Sequence, residues 1–226
     1  MIKRTSREHV LNILKENQNK WEILDIGCSI DAIEYANTTA DIQNLGNFYK
    51  SKNKEFVLIQ GKDLPFKNNQ FDFVYASHVI EHVEDVSYFI KELQRISKQG
   101  YIELPTILED NIILSENNIK DHKWFFKFDD VNNILLAERK KQLIEPFITH
   151  GVLFGSLRKN FRSSLVLELI WENNIDYEFK NFTIPAKKTI FIQIIKKYLS
   201  YFVRTNKLIS SILLILLILY IINFLI

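Results

Sequence analysis

Scarcity says much about this 226-residue chain before any motif does. Its single cysteine, Cys28, excludes an intrachain disulfide. The position of Cys28 at the end of an apolar run reads as a small buried side chain in a reducing compartment, with a reactive thiol as the alternative. Residues 1–21 are charged and amphipathic without a continuous apolar core, so no secretory signal is expected and the body of the chain is placed in the cytoplasm. The chain has no G-x-G-x-x-G and no Tyr-x-x-x-Lys pair, which counts against a nicotinamide-dependent oxidoreductase. Acidic residues stop at Glu178, beyond which seven lysines and arginines follow, so the formal charge of +2 hides a body of −5 and a basic tail. An acidic body lacks the phosphate-binding face of nucleic-acid enzymes, and no nucleic-acid partner is expected.

The tail is the longest apolar stretch. Residues 208–226 carry no charge over 19 positions. A helix of that length reaches about 28 Å, close to the hydrocarbon thickness of a bilayer. A buried core helix would show a polar face, whereas this segment is apolar all round, which favours a transmembrane helix. The lysines and arginines precede it, so the positive-inside tendency holds residues 1–207 in the cytoplasm as a single-pass, C-terminally anchored protein. Residues 186–207 form a basic amphipathic juxtamembrane segment. Its apolar side chains recur at helical spacing from Ile190 to Phe202, which suits the membrane interface or a face of the body. Pro185 marks the boundary, leaving residues 1–185 as the main domain.

Periodicity organises that domain. Residues 7–17 read as a helix. Apolar runs at 22–28, 38–42, 56–60, 71–76 and 100–104 read as strands, with a helix over 86–98. Strands alternating with helices predict an α/β, doubly wound, mostly parallel sheet whose strand carboxyl ends meet at one ligand crevice. Residues 163–177, with Asn173 and Asn174 at a turn, predict a C-terminal β-hairpin.

Three segments lie at those strand ends: Asp25-Ile-Gly27-Cys28-Ser29, Gly61-Lys62-Asp63-Leu64-Pro65-Phe66, and Phe71 through Val83 with Ser77, His78, Glu81 and His82. In this order they resemble a class I, Rossmann-like S-adenosylmethionine-dependent methyltransferase of the type 11 subgroup, over about residues 20–105. The resemblance implies S-adenosylmethionine as cofactor. Asp25, Gly27 and Ser29 would serve the methionine end and Asp41 the ribose hydroxyls. Asp63 and Leu64 would meet the adenine, and Ser77 would line the site. The family's usual Asp-x-Gly-x-Gly-x-Gly departs here to Ser29 and Asp31, and the 16-residue step from Asp25 to Asp41 predicts an abbreviated first crossover helix.

Methyl transfer from a sulfonium needs in-line positioning, and a base only where the acceptor must lose a proton. His82 and His78 are the candidates, with Glu81 as orienter; His82 bonding only to the following loop is the structural alternative. Histidine and cysteine spacing along the chain predicts no metal site. Asp121 through Phe126 forms a His-plus-aromatic cluster that suits either core packing or an acceptor lid. The resulting expectation is a membrane-anchored methyltransferase acting on a small or lipid-linked acceptor. The alternative is a catalytically silent, membrane-bound binding module.

Overall fold

Short β-rich apolar runs, each ended by a turn residue, assemble into the expected parallel sheet. The computed structural model describes residues 1–107, 109, 121–140, 159–160 and 162–181, within a compact unit from Met1 to Asn181. The first strands are β1 (Ile2–Arg4), β2 (Ile23–Ile26), β3 (Thr38–Asp41), β4 (Glu55–Leu58), β5 (Phe73–Ser77) and β6 (Gln99–Pro105). Strand β9 (Val166–Glu172) follows later in the chain, and the sheet order is β1-β9-β6-β5-β2-β3-β4. Strands β4, β3, β2, β5 and β6 are mutually parallel, and β9 enters antiparallel to β6. From β2 the chain moves outward through β3 and β4, then returns to β5 on the other side. The switch point therefore lies between β2 and β5, where ligands bind in open α/β sheets.

Strand alternation gives the sheet its two cores. Leu24, Ile26, Val74, Ala76 and Ile102 share one buried cluster with Ile90, Leu93 and Ile96 of helix α3 (Val86–Ile96). Ile23, Phe73, Tyr75 and Tyr101 share the other with Val10 and Leu14 of helix α1 (Arg7–Asn17). Each fully buried aliphatic side chain of this kind contributes about 1.5–3 kcal/mol. Both helices begin at side-chain caps. The Ser6 hydroxyl accepts the His9 amide at 3.2 Å, and Asp85 accepts that of Tyr88 at 2.9 Å. Helix α3 stops at Ile96, two residues before the expected end, because Ser97 turns to extended backbone.

Three expectations change. First, no helix joins β2 to β3: residues 27–37 cross as a loop, whereas β3 reaches β4 through the short helix α2 (Gly46–Ser51). Second, the C-terminal hairpin does not form. Both edges of β9 are taken, by β6 along seven residues and by β1 along three, so residues after Asn173 have no edge there to pair with. The chain turns at Asn173 (φ 64°), and β10 (Tyr177–Phe179) pairs parallel with β8 (Ile134–Arg139) instead. Third, a second sheet is present that the periodicity did not predict: Trp124 opens β7 (Trp124–Asp129) in a three-stranded sheet ordered β10-β8-β7, where Phe126 is fully buried, in line with the core-packing reading of residues 121–126. The short helix α4 (Arg162–Leu165) leads into β9. The juxtamembrane and transmembrane segments expected at 186–207 and 208–226 lie outside the described residues. Among those described, no helix is long and apolar enough to cross a membrane.

Candidate functional site

At the carboxyl ends of β2 and β3, two buried aspartates hold the connecting loop. The Asp25 carboxylate accepts the Ile33 amide at 2.8 Å. Burial drives its pKa up to about 7, against the opposing pull of that amide and the charges of Lys54 and Arg7. Asp41 accepts the Ser29 amide on one oxygen at 2.8 Å and the Gln43 amide on the other at 2.9 Å. Gly27 sits at φ +68°, and a Cβ there would lie 2.3 Å from a Val79 methyl, so only glycine lets the backbone pass between β2 and the turn after β5. Tyr49 of α2 donates its hydroxyl to the Ser29 carbonyl and takes the Ala32 amide at 3.2 Å. It thereby substitutes for the missing crossover helix in fixing the loop. Cys28 is buried, and burial lifts its thiol to about 11, which favours the small buried side chain over the reactive thiol.

Beyond Asp41, Ile42 is 76% exposed. The Ile59 amide donates to the Asp41 carbonyl at 2.9 Å, so Gln60 and Gly61 follow beside that same edge. Space around Gly61 is open, with nothing within 4 Å of an added Cβ. Asp63 is turned elsewhere: it accepts the Tyr88 hydroxyl. The Leu64 amide donates to Glu92 at 2.9 Å, and Arg95 binds the Leu64 and Phe66 carbonyls at 3.0 and 2.7 Å. The Leu-Pro-Phe turn is thus locked onto α3 by ion-paired side chains.

The carboxyl ends of β5 and β6 carry charge of another kind. His78 has φ 56°, and its ring lies between Glu81 (Nδ1 to Oε1, 3.2 Å) and Glu103 (Nε2 to Oε1, 3.3 Å), both fully buried. Burial alone would depress its pKa, but hydrogen bonds to Glu103 and Glu81 raise it to about 9. Burial would likewise raise Glu103, yet His78, Tyr101 and Arg162 hold it well below the usual carboxylate range. Arg162 reaches Glu103 at 2.7 Å and Glu168 at 3.1 Å. His82, on the 3₁₀ turn Ile80–His82, donates Nδ1–H to the Asp121 carbonyl at 3.2 Å, and burial keeps its pKa below the ordinary value. With that tautomer, Nε2 holds the lone pair.

A parallel sheet with a switch point, a glycine crossing and an acidic residue closing the next strand is the arrangement of a nucleotide-type cofactor site, and residues 9–102 match the family model described as a methyltransferase domain. Over those residues, under half of its length, the chain is similar to a methyltransferase domain. A protein of Methanocaldococcus jannaschii is 29% identical over 130 residues, covering 53% of this chain and 56% of that one. Sterol 4-C-methyltransferase of Caenorhabditis elegans is 25% identical over 108 residues, covering 47% of this chain and 31% of the enzyme. The solved structure of a Pyrococcus horikoshii protein superposes with a TM-score of 0.43 at 15% identity, over 75% of this chain and 93% of that one. The matched stretch thus spans about half, or less, of the curated relatives' length.

The methyltransferase domain implies S-adenosylmethionine as its cofactor, and the residues present fit it. Each Asp41 oxygen accepts one amide and keeps a further lone pair for a ribose hydroxyl. Exposed Ile42 offers an apolar face beside it. The structure gathers Gly27, Ser29, Asp41, Ser77 and His78 at the carboxyl ends of their strands. It places Asp25 below that edge as a loop anchor, and gives the Asp63 carboxylate and Leu64 amide to α3. Hydrogen bonds to two buried glutamates raise the pKa of His78, whereas burial lowers that of His82. Sequence reasoning missed Tyr49 and Arg162, which come from distant elements and belong to no local motif. It also set aside a metal site, yet Glu81, His82 and His122 meet with donor atoms within 4.8 Å of one another.

Proposed function

We propose that the chain transfers a methyl group from S-adenosylmethionine to a small or lipid-linked acceptor, working at the cytoplasmic face of a membrane to which its C-terminal segment anchors it. The observation that carries the reading is Asp41 at the end of β3, its lone pairs beside an open edge formed by Ile42 and Gly61. S-adenosylmethionine supplies an already activated methyl group. The chain's own task is to hold that donor by Asp41 and the Gly27 backbone, to align an acceptor near the end of β5, and to take a proton at His82 Nε2 where the acceptor is a hydroxyl or amine. The apolar, uncharged residues 208–226 and the basic run before them support the anchor, and tethering raises the local concentration of a membrane-borne acceptor. The nematode relative acts on a sterol according to its name, which is consistent with an apolar acceptor.

A second reading, a silent binding module, draws on the loop after Gly27. That loop has no helix and carries Asp31 close to where the methionine carboxylate would sit. Calorimetric titration of the full chain with S-adenosylmethionine separates the two. The methyltransferase reading expects micromolar binding that Asp41→Ala weakens by more than about tenfold, about 1.4 kcal/mol. No binding up to millimolar cofactor would favour the silent module.

A further inference from the structure

We propose that Glu81, His82 and His122 form a binding site for one divalent transition metal ion of the Zn2+ type. The site is built by two elements strapped together. The turn after β5 places Glu81 and His82 side by side, and the segment leading into β7 lies across it. The Lys123 amide donates to the Glu81 carbonyl at 2.7 Å, the Trp124 indole N–H donates to the Val83 carbonyl at 2.9 Å, and the Lys123 ammonium pairs with Glu84 at 2.6 Å. This strap carries His122 to within 4.0 Å of the Glu81 carboxylate and sets its ring edge-to-face with His82 at 4.7 Å.

The donors are prepared for a ligand that the protein alone does not supply. Glu81 is fully buried, its Oε1 takes the His78 N–H, and its Oε2 has no hydrogen-bond partner. A buried carboxylate oxygen left unpaired carries a desolvation cost that a cation would offset. His82 donates Nδ1–H to a backbone carbonyl, the outer-shell contact that fixes a metal-binding imidazole with its Nε2 lone pair outward. His122 needs only one ring nitrogen for the ion. Donors now within 4.8 Å must close to about 3.3 Å around bonds of about 2.0–2.1 Å, a movement that side-chain rotation supplies. Two imidazoles and one carboxylate suit Zn2+ or Fe2+ over Mg2+ or Ca2+, which take oxygen ligands. Three protein ligands leave a fourth position for water or an acceptor oxygen. With the ion seated, the His82 lone pair would lie in the metal bond, so the proton-accepting role of His82 belongs to the metal-free protein, and the ion would instead lower the pKa of an acceptor oxygen bound at the fourth position.

Metal binding stands or fails apart from methyl transfer, and is tested on the full chain, stripped with chelator and titrated with Zn2+ and with Co2+ as a spectroscopic probe. The expected result is one ion per chain. His82→Ala and His122→Asn should each weaken it by more than about a hundredfold, beyond the 10- to 100-fold typical of an outer-shell change. His9→Ala, on the exposed surface of α1, should leave it unchanged. Should a variant lose its fold by circular dichroism, X-ray absorption of the Zn2+-loaded wild type decides, with two imidazoles expected in the first sphere. Failure of the folded wild type to bind either ion would overturn the site, as would a sphere without imidazole or undiminished binding in the His82/His122 double variant.

Discussion

The two halves of the strand-end crevice solve the burial of acidic groups in opposite ways. On the β2–β3 side, Asp25 and Asp41 are satisfied by backbone amides lying 8, 12 and 2 residues away. On the β5–β6 side, Glu81 Oε1 and Glu103 face side-chain cations instead, His78 for both and, for Glu103, Arg162 lying 59 residues along. Amide donors come with the loop and cannot be titrated or moved, so the first half is a fixed cradle suited to a neutral diol. Ion pairs are long-range and responsive to protons and metals, so the second half suits the step in which an acceptor changes charge.

Breaking the ionic half should have the largest effect. Arg162→Met takes from Glu103 and Glu168 the guanidinium they share and should lower unfolding stability by about 3–5 kcal/mol in denaturant titration. A loss under about 1 kcal/mol would show that His78 and Tyr101 suffice.

The amide half should show itself in pH dependence. Asp25 titrates near 3.8 when unfolded and at about 7 when folded. Between those values the native state holds a proton that the unfolded chain has released, so this group's contribution to stability falls as pH rises from about 4 to about 7, then levels off. The span is at most about 4 kcal/mol. Arg7, Lys54 and Asp41 act on the group but do not reverse the sign. Asp25→Asn should flatten that part of the stability profile, and an unchanged slope would place the titration elsewhere.

Next in size, Gly27→Val should cost about 1–3 kcal/mol through strain at φ +68° and overlap with Val79, and should weaken cofactor binding with it. The smallest contrast sharpens the cradle itself. Asp41→Ala should weaken S-adenosylmethionine binding by more than about tenfold, about 1.4 kcal/mol. Asp63→Ala, whose carboxylate serves Tyr88, should weaken it by less. Equal losses in calorimetry would return Asp63 to the cofactor.

The same local-versus-distant divide explains what could be read beforehand. Strands β2 to β6 and helices α1 and α3 follow from apolar period and caps within a dozen residues, and so does the place of Asp41 at the end of β3. The hairpin failed because strand pairing is decided by which edges are open. Ile2–Arg4 occupies the second edge of β9, and nothing near Asn173 announces it. His78 read as a base from its place in a motif, while its charge state depends on Glu103, a strand away. The Glu81–His82–His122 cluster was invisible to spacing because 39 residues separate His82 from the Asp121 carbonyl that orients it.

The most direct test of the account is methyl transfer itself. Membranes and cytosol from cells producing the full chain, or its Asp41→Ala variant, would be incubated with S-adenosylmethionine carrying a tritiated methyl group and extracted into lipid and aqueous fractions. The account predicts label in an acceptor fraction with the wild type and its loss with Asp41→Ala. Absence of transfer with either, or equal transfer with both, would contradict it.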